Sequence, residues 1–181
     1  MISTSNITFS YNKDQIFHMP DLYCEAGNTI LITGDSGKGK TTYLHILGGL
    51  LQPTTGTIEI NKENMLALSE KRLDKFRGKN IGIVFQRPHL IKSLTVLENL
   101  ELAVHLSGKN IHKSKYDQIL ESLNILEYKN RMIHQLSEGQ AQRVSIARSV
   151  IHDPVLLAAD EPTASLDDEN CESVLKLLKN Q

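Results

Sequence analysis

The residues Gly34-Asp35-Ser36-Gly37-Lys38-Gly39-Lys40-Thr41 gather glycines, lysines and hydroxyls into one short run that matches G-x-x-x-x-G-K-[ST]. Glycines let main-chain N–H groups approach phosphate oxygens, and a following helix turns its positive dipole end toward them. In such a loop Lys40 reaches the β- and γ-phosphates, and the Thr41 hydroxyl ligates Mg²⁺. Gly34, Asp35, Ser36, Gly37, Lys38, Gly39 and Thr42 complete the candidate nucleotide contacts, with Lys38 expected to point to solvent. A second chemical cluster lies at Asp160-Glu161-Pro162, directly after the apolar run Val155–Ala159. Two acids ending a buried strand stand at the carboxyl edge of a sheet, where open α/β sheets bind ligands. Successive strand side chains point differently, so Asp160 is expected to hold the Mg²⁺ shell and Glu161 to polarise an attacking water. Pro162 turns Glu161 away from helical dihedrals.

A third motif, Leu136-Ser137-Glu138-Gly139-Gln140, precedes an amphipathic helix carrying Val144, Ala147 and Ile151 on one face. Ser137 and Gln140 would by themselves serve as a capping box at a plain helix start. Its position between the phosphate loop and the acidic strand, and the Gln142-Arg143 and Ala147-Arg148 that follow, argue for more. Together these motifs resemble the ATP-binding domain of ABC transporters over essentially the whole chain. Leu136–Gln140 looks like its signature motif, Asp160-Glu161 like the Walker B end, and Ser165-Leu166-Asp167 like the D-loop. Gln86, after the apolar run Ile81–Phe85, resembles the Q-loop glutamine, and Tyr11 the aromatic that stacks on adenine. Thr95–Leu102 and Asp160–Asp167 look most like the branch serving lipoprotein-release, macrolide-export and cell-division-type permeases.

The resemblance implies a head-to-tail homodimer in which the Lys40 loop of one subunit binds ATP while Ser137 and Gly139 of the other cover the γ-phosphate, with Gln140 also counted among the nucleotide contacts. Asp167 belongs to the same shared site, and Gln86 would sense Mg²⁺ and water. Hydrolysis would power an integral membrane permease from the cytoplasmic side, with no nucleic acid and no direct insertion of this chain into the membrane. Glu138 stands where the family more often has glycine; an acid suits a helix N-terminus but opposes a phosphate, so it is expected to point away. A P-loop kinase of small metabolites would explain Gly34–Thr41 but leave Leu136–Gln140 and Asp160–Asp167 without a role. DNA-maintenance ABC proteins need a long coiled-coil insertion between Gln86 and Leu136, and there is no room for one.

The elements that must position these groups read as an α/β domain of P-loop NTPase type. Short apolar runs alternating with helical patterns predict a mainly parallel central sheet, with an antiparallel N-terminal β part implied by the family. Ile7–Phe9, Thr29–Thr33, Thr57–Ile60, Ile81–Phe85 and Val155–Ala159 are the strand candidates. Thr41–Leu51, Leu68–Phe76, Val96–Leu106, Lys115–Leu126, Glu138–His152 and Asp168–Leu178 carry helical periodicity. The stretch 87–140 reads as a helical subdomain inserted into a single domain, 1–181.

Composition limits the alternatives. Of 181 residues 40% are hydrophobic and 23% charged, the profile of an ordinary globular chain, and a net charge of -1 offers no basic excess for nucleic acid or an anionic membrane. Cys24 and Cys171 match no metal spacing, no apolar run approaches the roughly 20 residues needed to span a bilayer, and Met1–Ser10 does not read as a signal peptide. All seven histidines precede Glu161, so none can be carried over as the family's switch histidine. The resemblance further implies a strand lying between the phosphate-loop strand and the acidic strand, and this sequence does not supply it. Truncation of a longer ATPase is the favoured explanation; a degenerate subunit that binds ATP and turns over poorly, or a neighbour supplying the gap, are the alternatives.

Overall fold

A computed structural model describes residues 1–12, 15–164 and 166–179. The chain forms two compact units, Met1–Arg77 and Gly78–Gln181. In the first, β1 (Ile2–Asn12) is a long strand that buries Ile2 and Thr4 and then, after an irregularity at Asn6 (φ +53°) that shifts the alternation by one, Ile7 and Phe9. It pairs antiparallel with β2 (Gln15–His18) and β3 (Leu22–Cys24). The phosphate helix α1 (Lys40–Leu47) follows, and β4 (Thr55–Ile60) then joins the opposite edge of β1, with β5 (Glu63–Asn64) beyond it. Helix α2 (Glu70–Asn80) runs through the division between the units.

Tyr43 fastens α1 to this sheet. Its ring is buried, and its hydroxyl donates to the Pro20 carbonyl (2.8 Å) and shares a hydrogen bond with Thr4 Oγ1 (2.8 Å). Burial raises the Tyr43 pKa, so the phenol stays protonated and available as a donor.

The second unit is built around β6 (Ile81–Val84), with helices α3 (Val96–Ser107), α4 (Ser114–Ser122) and α5 (Glu138–Val150) ahead of β7 (Leu156–Ala159) and α6 (Asp168–Lys179). β6 and β7 pair in parallel, Ile81 opposite Leu156 and Val84 opposite Ala159. Their shared core includes Val84, Leu100, Leu120, Val144, Ala147, Val150 and Val174. α5 packs into this core and is buried from Gln142 to Val150 except at Arg148, polar Gln142 and Arg143 included. Thr95 and Glu98 form a capping box at the start of α3, and Asn99 buries its amide to receive the Ile91 N–H (2.9 Å) and donate to Thr95 O (2.9 Å). That amide pins the loop following Gln86. Between 87 and 140 the ordered elements are helices and 3₁₀ turns, with one isolated bridge, Thr95 to Met132.

One expected strand is absent. Thr29–Thr33 has the apolar composition of a buried strand, yet among the described residues it takes no place in either sheet. Ile30 is 44% exposed and Leu31 83%. A strand is completed by its neighbours: without a ladder on one side, an apolar run cannot satisfy its N–H and C=O groups in strand geometry and leaves them to water. Among the described residues the parallel sheet has two strands, β6 and β7, and is smaller than the central sheet the sequence predicts. β2, β3 and β5, all short, were not among the expected strands.

Candidate nucleotide site

In the first unit the phosphate loop has the backbone its glycines permit. Gly34, Gly37 and Gly39 all have positive φ, at 152°, 79° and 88°, where a Cβ would strain the chain. Gly39 caps α1, and its carbonyl accepts the Tyr43 N–H at 2.8 Å. Lys40 Nζ turns back to donate to Gly34 O (2.6 Å) and Asp35 O (2.9 Å), so its ammonium lies over the concave side of the loop. Asp35, Ser36, Gly37, Lys38 and Thr41 are exposed, whereas Thr42 is buried beneath them. Tyr11 is 64% exposed; its ring packs edge-on against Phe9 and Phe17, and its hydroxyl shares a 2.9 Å hydrogen bond with Thr42 Oγ1. A Cβ on Gly39 would stand 3.2 Å from Phe17 Cδ1, so this aromatic group lies against the loop as well.

The second unit gathers the acidic and amide groups. With Val84 opposite Ala159, Gln86 and Glu161 each follow two residues after the last strand pair, at the same carboxyl edge. The Asp160 N–H continues the ladder to Val84 O (2.9 Å), and Gln86 Nε2 donates to Glu161 Oε2 (3.0 Å). Glu161 has φ +45°, a left-handed conformation rare for a residue with a side chain and one that concentrates at functional turns. The bias away from right-handed helical dihedrals that Pro162 predicts is present.

Helix α5 holds the main chain around Gln86 from two places. Gln142 Nε2 donates to Phe85 O (3.0 Å), and Arg148 Nη1 donates to His89 O (2.6 Å). Neither contact was assigned from the sequence, because both end on main-chain carbonyls that carry no residue signature. At the other end of α5, Ser137 and Gln140 form the expected reciprocal box: Ser137 N donates to Gln140 Oε1 (2.9 Å) and Gln140 N to Ser137 Oγ (3.3 Å). Ser137 and Glu138 are exposed and Gly139 is half-buried. Asp167 receives the Asn170 N–H (2.9 Å) on Oδ1 and the Asn170 amide on both oxygens, capping α6. The main-chain and amide donors of Asn170 hold its carboxyl below the usual aspartate range, so it stays ionised. Ser165, the first D-loop residue, lies outside the described residues.

A model of the ABC transporter domain matches residues 17–164. The chain belongs to the ABC transporter family. The lipoprotein-releasing system ATP-binding protein LolD of Treponema denticola is 41% identical over 98% of this chain and 80% of that protein. The bacitracin export ATP-binding protein BceA of Halalkalibacterium halodurans is 36% identical over 99% of this chain and 73% of its own length. The dimeric structure of the ABC transporter cassette MJ0796 superposes with a TM-score of 0.89 at 34% identity, covering 98% of this chain and 81% of that one. Its post-hydrolysis state bound to ADP and Pi gives 0.90. The family therefore confirms the fold class and the recognition made from the motifs, and the LolD relatives fit the lipoprotein-release branch that Thr95–Leu102 resembles.

In the first unit the Lys40 ammonium and the glycine-rich turn suit phosphate oxygens, and Thr41 adds a hydroxyl. In the second, Gln86 and Asp160 carry hard oxygen atoms of the kind Mg²⁺ takes alongside phosphates and water. Among the described residues no cluster of three His, Cys, Asp or Glu forms an all-protein metal cage. Mg²⁺ held partly by substrate phosphates does not require one.

Proposed function

We propose that this ABC-family chain binds Mg-ATP through Gly34–Thr42 and hydrolyses it as a head-to-tail dimer to power a membrane permease. Lys40 and the loop N–H groups hold the phosphates, Thr41, Asp160 and Gln86 complete the magnesium shell, and Glu161 activates water. Ser137 and Gly139 of the second subunit cover the γ-phosphate with a helix N-terminus, whose partial positive charge suits an anion. The observation that carries the reading is the Gln86–Glu161 hydrogen bond at the carboxyl edge of β6 and β7. It joins an amide suited to sensing metal and water to a carboxylate in the place of a general base.

Magnesium-dependent ATPase measurement with Glu161→Gln tests it. Turnover in the wild type, lost in the variant with ATP binding retained, is expected; equal turnover in the two overturns the assignment. A second reading, a module that binds ATP and turns over poorly, is favoured by the unpaired Thr29–Thr33, which leads directly into the phosphate loop. ATP binding without turnover in the wild type would select it. The dimer is tested separately by Ser137→Arg, which should abolish ATP-induced dimerisation in light scattering while leaving monomer binding intact.

A further inference from the structure

Tyr11 is the aromatic expected to stack on adenine, a role that needs only its ring. Its hydroxyl has a partner of its own: Thr42 Oγ1 at 2.9 Å, on the second residue of α1 after Lys40. Thr42 is buried and Tyr11 mostly exposed, so the contact connects a surface ring to a group enclosed beneath the phosphate loop. The ring is also fixed in orientation, edge-on to Phe9 at 4.7 Å and to Phe17 at 6.2 Å between centroids, and Phe17 in turn lies against Gly39. A threonine hydroxyl has one proton and two acceptor sites. When the phenol donates to Oγ1, the Thr42 proton is directed away from Tyr11 and is left for another acceptor.

We infer that the Tyr11 hydroxyl is a positioning group for the phosphate side of the site: by donating to Thr42 Oγ1 it aims the Thr42 proton at a phosphate oxygen of the nucleotide. The reading rests on the proposed binding of ATP by Gly34–Thr42. It makes base recognition and phosphate recognition share a residue, since a ring displaced from the base also releases Thr42.

The test is a double-mutant cycle on ATP affinity with Tyr11→Phe, Thr42→Val and the pair, with inorganic triphosphate as a competitor in each background. Tyr11→Phe keeps the ring, so stacking is unchanged, and it should weaken ATP about three- to tenfold, the scale of one hydrogen bond. The same substitution should have no further effect once Thr42 is Val. It should also weaken inorganic triphosphate by the same factor, although that competitor has no base to stack. ATP affinity unchanged by Tyr11→Phe, additive losses in the double variant, or triphosphate competition insensitive to Tyr11→Phe overturns the inference and leaves nucleotide binding in place. Failure of the wild type to bind ATP overturns the nucleotide assignment itself. Circular dichroism of Thr42→Val distinguishes lost binding from lost folding, and should Thr42→Val fail to fold, Thr42→Ser replaces it as the rescue arm, in which the Tyr11→Phe loss should persist.

Discussion

Gly82→Ala would place a methyl against main chain inside the core of the second unit. Gly82 lies in β6 with α5 behind it, and a Cβ placed there would stand 2.2 Å from the Ser149 carbonyl oxygen and 3.0 Å from both Leu157 Cδ1 and Pro154 Cγ. Ordinary contact begins near 3.4 Å, so strand and helix must separate by about 3.4 − 2.2 = 1.2 Å. The clashing atom is main chain in a helix, and no rotamer change can remove it. Separation would loosen Val144, Ala147 and Val150, all fully buried, and draw Gln142 away from Phe85 O. Overpacking by one methylene commonly costs about 1–3 kcal/mol; a rigid backbone clash of this size belongs at or above the upper end, about 4 kcal/mol. Against a typical total of roughly 5–15 kcal/mol that removes much of the margin. The chain has no tryptophan, so urea unfolding is followed by far-ultraviolet circular dichroism. The control is Gly108→Ala, where φ is +66° but nothing stands within 4 Å; only the backbone term of about 1 kcal/mol applies there. Midpoints for the two variants within error of each other would refute the reasoning.

Two further outcomes are expected. His152 is buried, its ring nitrogens make no hydrogen bond of ordinary geometry, and burial together with Lys109 and Lys115 lowers its pKa, only partly opposed by the Ile81 main chain and Asp153. The folded state therefore resists a proton that the unfolded chain accepts from about pH 6.5 downward. This contribution is complete above that pH and declines as the pH falls toward the native pKa, at up to about 1.4 kcal/mol per unit. Urea midpoints measured from pH 7.5 to 5 should fall less steeply in His152→Leu, and equal slopes would dismiss the effect. Gln142→Leu removes the donor to Phe85 O beside Gln86. With Gln86 in its proposed role, steady-state kinetics should show turnover reduced about tenfold or more with the KM for ATP little changed, since misplacement of a group acting in the chemical step affects turnover first; a purely KM effect would contradict that role.

Much of this was legible because the chemistry depends on side-chain identity. Gly34, Gly37 and Gly39 announce positive φ, Ser137 with Gln140 announces a reciprocal cap, and two acids after an apolar run announce a sheet edge. That Gln86 and Glu161 each follow an apolar run was legible; that β6 pairs with β7 and so brings the two together was not, because run length does not choose a neighbour. What was not legible depends on relations. Thr29–Thr33 has strand composition, but composition does not supply a neighbouring ladder. Gln142 and Arg148 act on carbonyls, which every residue possesses, so their targets are invisible in sequence. Tyr11 reads as a ring for stacking, and only coordinates reveal where its hydroxyl goes. β2 and β3 are short segments on either side of Pro20, too brief for alternation to register.

The exposed Ile30 and Leu31 make concentration a hidden variable for this chain. A run that offers apolar side chains together with main chain outside any sheet acts as an open valence, and an extended segment of suitable register can fill it. In a dilute solution that run would stay hydrated, and sharing between copies is expected to grow with protein concentration. Such pairing would differ from the proposed nucleotide-driven dimer, because it would proceed without ATP. Apparent affinity and turnover would then drift with protein concentration and with the age of the sample, and a dilution series run without nucleotide separates the two kinds of association.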